Sequence, residues 1–253
     1  VSSGLWLGGT SVAVGTADTA APGRVAAIGD ALTSADSKVI GRLYIGAALL
    51  ALIGVAGLGT VIGIDSIDGE RNIFDAGAVA QIFTTYRVGL VYGVLAPLLL
   101  GVAVAVVPLQ VGARALAFPR LAAAGFWTWL GGIVLVGISL AGNGGPLGGS
   151  EDMVDLFIAG HALAVIGLCG AATSVATTVL TTRAPGMRMR RVPFFSWSAL
   201  ISSLGLLLVL PVFVGTSILL FVDHRNGREL FDGNAGITTW LGFGWTSPTT
   251  YLF

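Results

Sequence analysis

Long apolar runs alternate with short polar connections along most of this chain. Five runs are apolar around the whole helical circumference, and they cover residues 40–64, 80–107, 122–142, 155–181 and 196–222. A helix rises 1.5 Å per residue, so about 20 apolar residues cross the hydrocarbon core of a bilayer. A helix without a polar stripe is expected to contact lipid on one side and other helices on the other. The pattern therefore predicts an all-α, polytopic transmembrane bundle with five full spans.

The turn between the second and third runs is marked by a proline and a basic loop. Within residues 104–127, the apolar helix is expected to stop at Pro108, cross a loop carrying Arg114 and Arg120, and resume at Ala122. The two ends of the chain have a different pattern. A short or irregular sixth segment is expected at 236–253, because this stretch is too short for a confident span and is broken by a proline.

Residues 1–35 are rich in small and hydroxyl side chains, and no basic stretch precedes their apolar part. This composition favours an N-terminal tail over a cleaved signal peptide. The expected domain organisation is therefore a tail at 1–35 and a transmembrane domain at 36–253.

Composition supports a membrane protein. The chain is 55% hydrophobic and only 10% charged, with zero net charge and a mean hydropathy of +0.89. These values exclude an ordinary soluble domain and give no basic face for nucleic acid. Cys169 is the single cysteine, which excludes an intrachain disulfide. Glycines within spans either let helix backbones approach closely or simply tolerate the lipid environment. The expected contact glycines are Gly46, Gly54, Gly57, Gly131 and Gly132.

Charged residues alternate in sign from one connection to the next. The first, third and fifth clusters along the chain are basic: Lys38 and Arg42; Arg114 and Arg120; Arg183, Arg188, Arg190 and Arg191. The two clusters between them are mainly acidic: Asp65, Asp68, Glu70 and Asp75; Glu151, Asp152 and Asp155. The positive-inside rule predicts an N-terminus in the cytoplasm. The expected location is the inner (plasma) membrane. The stretch 183–191 is expected to face anionic lipid, and the connection at 223–232 falls outside.

Several loop phrases resemble subunit I of the haem-copper terminal oxidases, the family of the cytochrome c oxidase catalytic subunit. The matching stretches, in family order, are 36–44 (DSKVIGRLY), 107–120 (VPLQVGARALAFPR), 125–127 (GFW), 155–161 (DLFIAGH), 193–198 (PFFSWS) and 223–232. The resemblance covers roughly the first six helices of that twelve-helix subunit. It implies a bundle arranged like the first half of the subunit and a place in respiratory electron transport.

The same resemblance shows where the family's chemistry is missing. The family's T-A-H, whose histidine is an axial ligand of the low-spin haem, corresponds to residues 84–86, which end in Tyr86. The aspartate at one proton-pathway mouth corresponds to Ala115. The copper-ligand histidine and relay glutamate of G-H-P-E-V-Y are absent from the stretch that begins at Gly244. The resemblance thus implies a truncated, degenerate relative without catalytic or metal-binding residues; no cofactor is expected, and haem is possible if this interpretation is wrong.

Three side chains remain candidates for cofactor contacts. His161 is either a buried histidine bonded to a neighbouring helix or a haem or copper ligand. Arg87 lies inside the second span, where it either extends to the interface or contacts a haem propionate, a quinone, a lipid head group or a partner carboxylate. Tyr86 stands at the family's haem position. His224 is expected in the outer loop, as a solvated residue or as part of a metal or docking site.

Three functions are compatible with these features. The preferred one is a structural or anchoring subunit of a respiratory redox complex, not catalytic by itself, that packs against other membrane subunits and lipid. The second is the N-terminal fragment of a split oxidase subunit I that reduces oxygen with a partner chain. The third is a membrane protein that binds a quinone, a lipid or a single haem.

Overall fold

The structure is a computed structural model that describes residues 36–67, 76–145 and 149–226. This part of the chain is helical and contains no strand. Its α-helices are α1 (Ser37–Asp65), α2 (Ala76–Val88), α3 (Ala96–Gln110), α4 (Pro119–Ala141), α5 (Glu151–Thr181) and α6 (Phe194–Asn226). A π-helical segment (Gly89–Leu95) joins α2 to α3, and the three form one continuous second span. The tail predicted at 1–35 and the sixth segment predicted at 236–253 lie outside the described residues.

The predicted all-α bundle with five spans is confirmed. Within the described ranges, five helices are long and apolar enough to cross a membrane, and each contains the core of one predicted run. The predicted helix end at Pro108 was wrong by two residues, since α3 continues to Gln110. The predicted start at Ala122 was wrong by three residues, since α4 already begins at Pro119. Pro108 removes only one backbone donor near the helix end, so the helix can continue past it.

The second span changes its hydrogen-bond register near its centre. The N–H of Ala96 donates to the carbonyl of Val91, five residues earlier. The carbonyl of Tyr92 therefore loses its α-helical donor, and its next donor in the π register would be Pro97, which has no N–H. The indole N–H of Trp129 on α4 donates to this carbonyl instead, at 3.0 Å. The irregular segment is thus tied to the third span by a buried hydrogen bond.

Helices α4 and α5 pack with their backbones in near contact. A Cβ atom placed on Gly132 would lie 2.5 Å from the carbonyl oxygen of Gly160, and one on Gly125 would lie 2.6 Å from the carbonyl oxygen of Gly167. Small residues permit this approach in lipid, where van der Waals packing replaces the hydrophobic effect as the force between helices. The prediction for Gly132 is confirmed.

The other predicted contact glycines do not mark helix contacts. A Cβ atom at Gly46, Gly54, Gly57 or Gly131 would meet nothing within 4 Å, so these positions face open space. Helix α1 instead approaches the second span at Gly41, where a Cβ atom would lie 2.7 Å from the carbonyl oxygen of Gly101. A sequence shows which glycines lie in a span, but not which side of the helix meets a neighbour.

Candidate functional site

His161 lies at the centre of a buried aromatic cluster. Its side chain is fully buried on α5, and its ring centroid lies 4.5 Å from that of Tyr92 in a nearly perpendicular arrangement. The ring of Phe213 on α6 lies 5.2 Å away, and that of Phe157 lies 6.1 Å away. Three spans therefore meet around one imidazole, and aromatic rings cover much of its surface. The structure places His161 inside the bundle; its role as a cofactor ligand stays a prediction.

The side chains of Tyr86 and Arg87 lie in different surroundings. The half-buried ring of Tyr86 packs on α1, since a Cβ atom at Gly59 would lie 3.2 Å from its Cε2 atom. Arg87 is exposed on the outside of the described bundle, with its guanidinium carbon 5.9 Å from the ring centroid of Phe83. A cation at this distance is attracted to the ring face. The three predicted residues therefore do not converge on one site: Tyr86 contacts α1, Arg87 faces outward, and His161 contacts α6.

A polar contact that the sequence did not reveal joins α5 to α6. Asp155, whose side chain is 7% exposed, lies 2.7 Å from the Nδ1 atom of His224 and 2.9 Å from a guanidinium nitrogen of Arg225. The prediction of His224 as a solvated loop residue was wrong, because α6 continues to Asn226 and this histidine is only 18% exposed. Asp155 is the first residue of the predicted fourth span, and an acid that is buried there is costly unless it is paired. This energetic cost was the sequence signal that could have identified Asp155 as a residue in need of a partner.

The second span and α6 enclose a groove of about 590 Å³, partly open to the outside. Leu168 of α5 also lines it, and the wall is hydrocarbon apart from the serine hydroxyls of α6 and the phenol of Tyr92. The exposed side chains of Val91, Leu95 and Leu99 form part of its rim. Such a shape is suited to an apolar ligand rather than a charged one. The sequence did not predict this groove.

In the family, the position of Tyr86 carries an axial ligand of the low-spin haem, but the residues around Tyr86 differ from such a site. The phenol of Tyr86 faces α1 and does not line the groove, and the groove wall offers no imidazole or thiol. Among residues 36–67, 76–145 and 149–226, no three His, Cys, Asp or Glu side chains come together as a metal-binding group. These residues do not fit the family's bis-imidazole haem site. Residues 244–251, which correspond in position to the family's copper-ligand phrase but lack its histidine, lie outside the described ranges.

Comparison with known proteins connects this arrangement to one family. The sequence profile described as "Cytochrome C and Quinol oxidase polypeptide I" matches residues 39–249. A Streptomyces avermitilis protein assigned by name to cytochrome c oxidase subunit 1-beta is 33% identical over 96% of this chain and 46% of its own length. Cytochrome c oxidase subunit 1 of Corynebacterium glutamicum is 32% identical over 85% of this chain and 39% of its own.

Quinol oxidase subunit 1 of Bacillus subtilis is also similar, at 30% identity over 87% of this chain and 37% of its own length. The chain thus spans less than half the length of the curated relatives that it matches. The profile match extends over most of the chain and includes all five spans of the described bundle. This chain is therefore a multi-pass membrane protein that belongs to the cytochrome c and quinol oxidase polypeptide I family.

Proposed function

We propose that this chain is a membrane subunit of an oxidase-type redox complex, in which it packs against other membrane subunits and holds neither haem nor copper itself. The observation that carries this proposal is the position of Tyr86. The residue at the family's haem-ligand position is a tyrosine whose ring packs on Gly59 of the first span. A phenol in that place supports the packing of two helices and gives no imidazole nitrogen for a low-spin iron.

The other polar side chains of the core support the same function, because they stabilise the scaffold. Trp129 donates to the irregular second span, and Asp155 ties α5 to the end of α6. His161 is enclosed by the rings of Tyr92 and Phe213. Within the described residues, Trp129, Asp155 and His161 therefore make contacts between helices of the bundle.

We propose the inner (plasma) membrane as its location, with the N-terminus in the cytoplasm. The basic clusters support this orientation, because the start of the first span and the second and fourth connections would place their charges at the same end of the bundle. The amide of Ala184 donates to the carbonyl of Val111 at 2.9 Å and joins two of these basic loops directly. Lysine and arginine are favoured on the cytoplasmic side of a bilayer.

The proposal is tested by purifying the tagged full-length protein from its own membranes in a mild detergent. Other integral membrane subunits of a redox complex are expected to co-purify in fixed stoichiometry, and mass spectrometry identifies them. A chain that elutes alone under conditions that preserve other respiratory complexes would contradict the proposal. The matched control is the same preparation with Gly132→Leu, which is expected to separate α4 from α5 and to abolish co-purification.

A second candidate function is oxygen reduction together with helices supplied by another polypeptide. It is favoured by the similarity of this chain to proteins named as cytochrome c oxidase and quinol oxidase subunits 1. The same purification separates the two candidates. A co-purifying chain whose predicted spans carry paired histidines would favour the second; partners without such spans would favour the first.

A further inference from the structure

We propose that the groove between the second span and α6 binds an anionic phospholipid, with one acyl chain along the groove and the phosphate held by Arg190 and Arg191. The inference does not depend on the proposed function, since it uses only the groove, its lining and the charges at its basic end. It identifies the class of ligand and the end of the groove at which the head group lies. The family resemblance did not suggest this groove.

The groove has the length and chemistry of a single hydrocarbon chain. Its α6 wall extends from Phe195 to Leu210, which corresponds to about 22 Å along a helix axis. One leaflet contributes about 15 Å of the ~30 Å hydrocarbon core, so the groove is long enough to hold an acyl chain of one leaflet. Its walls are mainly aliphatic, and burial of each methylene group against them is favourable.

Arginines lie at the end of the groove where the polar head group would be. The short helix Met189–Arg191 precedes α6, and Phe195 of the first turn of α6 already lines the groove. Arg190 and Arg191 are exposed, and neither forms an ion pair with an acid among the described residues. Exposed arginines near the membrane surface attract anionic head groups.

The loop that carries these arginines is held in position. The indole N–H of Trp197 donates to the carbonyl of Met189 at 3.0 Å, and the hydroxyl of Ser196 donates to the side-chain oxygen of Gln110 at 2.7 Å. These bonds connect the arginine loop to α6 and α6 to the end of the second span. The backbone of the arginine loop is therefore fixed to the helix that forms one wall of the groove.

The experiment uses the full-length protein in detergent and native mass spectrometry, with dioleoylphosphatidylglycerol and dioleoylphosphatidylcholine as probes. The anionic lipid is expected to bind in a 1:1 ratio and more tightly than the zwitterionic lipid. In the double variant Arg190→Gln and Arg191→Gln, we expect affinity for phosphatidylglycerol to fall about 30-fold. The matched control, Arg114→Gln with Arg120→Gln, removes the same charge from the same end of the bundle and is expected to leave the affinity unchanged.

A second pair of variants tests the acyl-chain part of the site. A Cβ atom at Gly205 meets nothing within 4 Å, and this residue lines the groove, so Gly205→Phe places a ring in the groove without a backbone clash. Gly215→Phe is the control, because this glycine also faces open space but does not line the groove. Gly205→Phe is expected to lose 1:1 binding, and Gly215→Phe to retain it.

Three outcomes would overturn the inference. They are equal affinity for the two phospholipids, equal losses in the variants and their controls, and a neutral prenyl lipid or a peptide as the bound species in protein taken from membranes. Thermal unfolding of each variant shows whether it is folded, so a loss of binding in a folded variant is interpretable.

Discussion

The indole N–H of Trp129 donates a hydrogen bond to the backbone carbonyl oxygen of Tyr92 at 3.0 Å. This bond supplies the donor that Pro97, which has no N–H, cannot provide. In the π register the carbonyl of Tyr92 has no donor within its own helix, because the amide of Ala96 is used by Val91. An unsatisfied carbonyl inside a bilayer is costly, since lipid supplies no hydrogen bond. The Trp129 side chain of α4 therefore completes the backbone hydrogen bonding of the second span.

Removing this indole donor should weaken the bundle. Trp129→Phe keeps most of the apolar ring but leaves the Tyr92 carbonyl unsatisfied, and it is expected to lower the free energy of unfolding by ~1–3 kcal/mol. Unfolding of the purified protein in mixed micelles, followed by circular dichroism, measures the difference. Trp127→Phe is the matched control on the same helix, because Trp127 is 42% exposed and a small change is expected. Equal losses in the two variants would show that the hydrogen bond is not the cause.

Pro97 and Trp129 should be energetically coupled. In Pro97→Ala a backbone N–H becomes available to the second span, so the carbonyl groups near Tyr92 gain an alternative donor. The cost of Trp129→Phe is then expected to be smaller in the Pro97→Ala background than in the original protein. A double-mutant cycle of unfolding free energies measures the coupling. Additive effects would contradict the explanation given for the π-helical segment.

Two neighbouring glycines of α4 should respond very differently to a methyl group. Gly132→Ala places Cβ against the backbone of α5 and is expected to destabilise the protein by ~1–3 kcal/mol, because the helices must move apart. Gly131→Ala meets nothing within 4 Å and is expected to leave stability unchanged or slightly higher. Both are compared by thermal unfolding in the same detergent. If Gly131→Ala were the more damaging change, the assigned packing face of α4 would be wrong.

The acidic contact between α5 and α6 should contribute to stability. Asp155→Asn removes the charge that faces His224 and Arg225, and a loss of ~1–2 kcal/mol is expected. The expected loss of stability is small because Arg225 is 61% exposed, so solvent screens its interaction with Asp155. Asp152→Asn, an exposed acid in the first turn of the same helix, provides the control. Indistinguishable unfolding midpoints for the two variants would remove Asp155 as a link between the helices.

The sequence predicted the five spans because long apolar runs report a local property, the match between helix length and bilayer thickness. It did not predict the contact of Asp155 with His224, because residues 69 positions apart meet only once α5 and α6 pack. The groove was missed for the same reason. The π-helical segment left a signal in Pro97, but the donor that satisfies Tyr92 comes from another span. Tyr86, Arg87 and His161 were correctly placed within spans, whereas their separate surroundings depend on helix rotation.

Tyr86 is proposed to pack two helices together and not to ligate iron. The most direct test is a reduced-minus-oxidised difference spectrum, with extracted haem quantified per complex, for the complex purified through this chain and for its Tyr86→Phe variant. Phenylalanine preserves the ring against Gly59 and removes only the hydroxyl that could bind iron. The same spectrum and the same haem content are expected in both complexes. Loss of a haem band from an intact Tyr86→Phe complex would contradict this proposal.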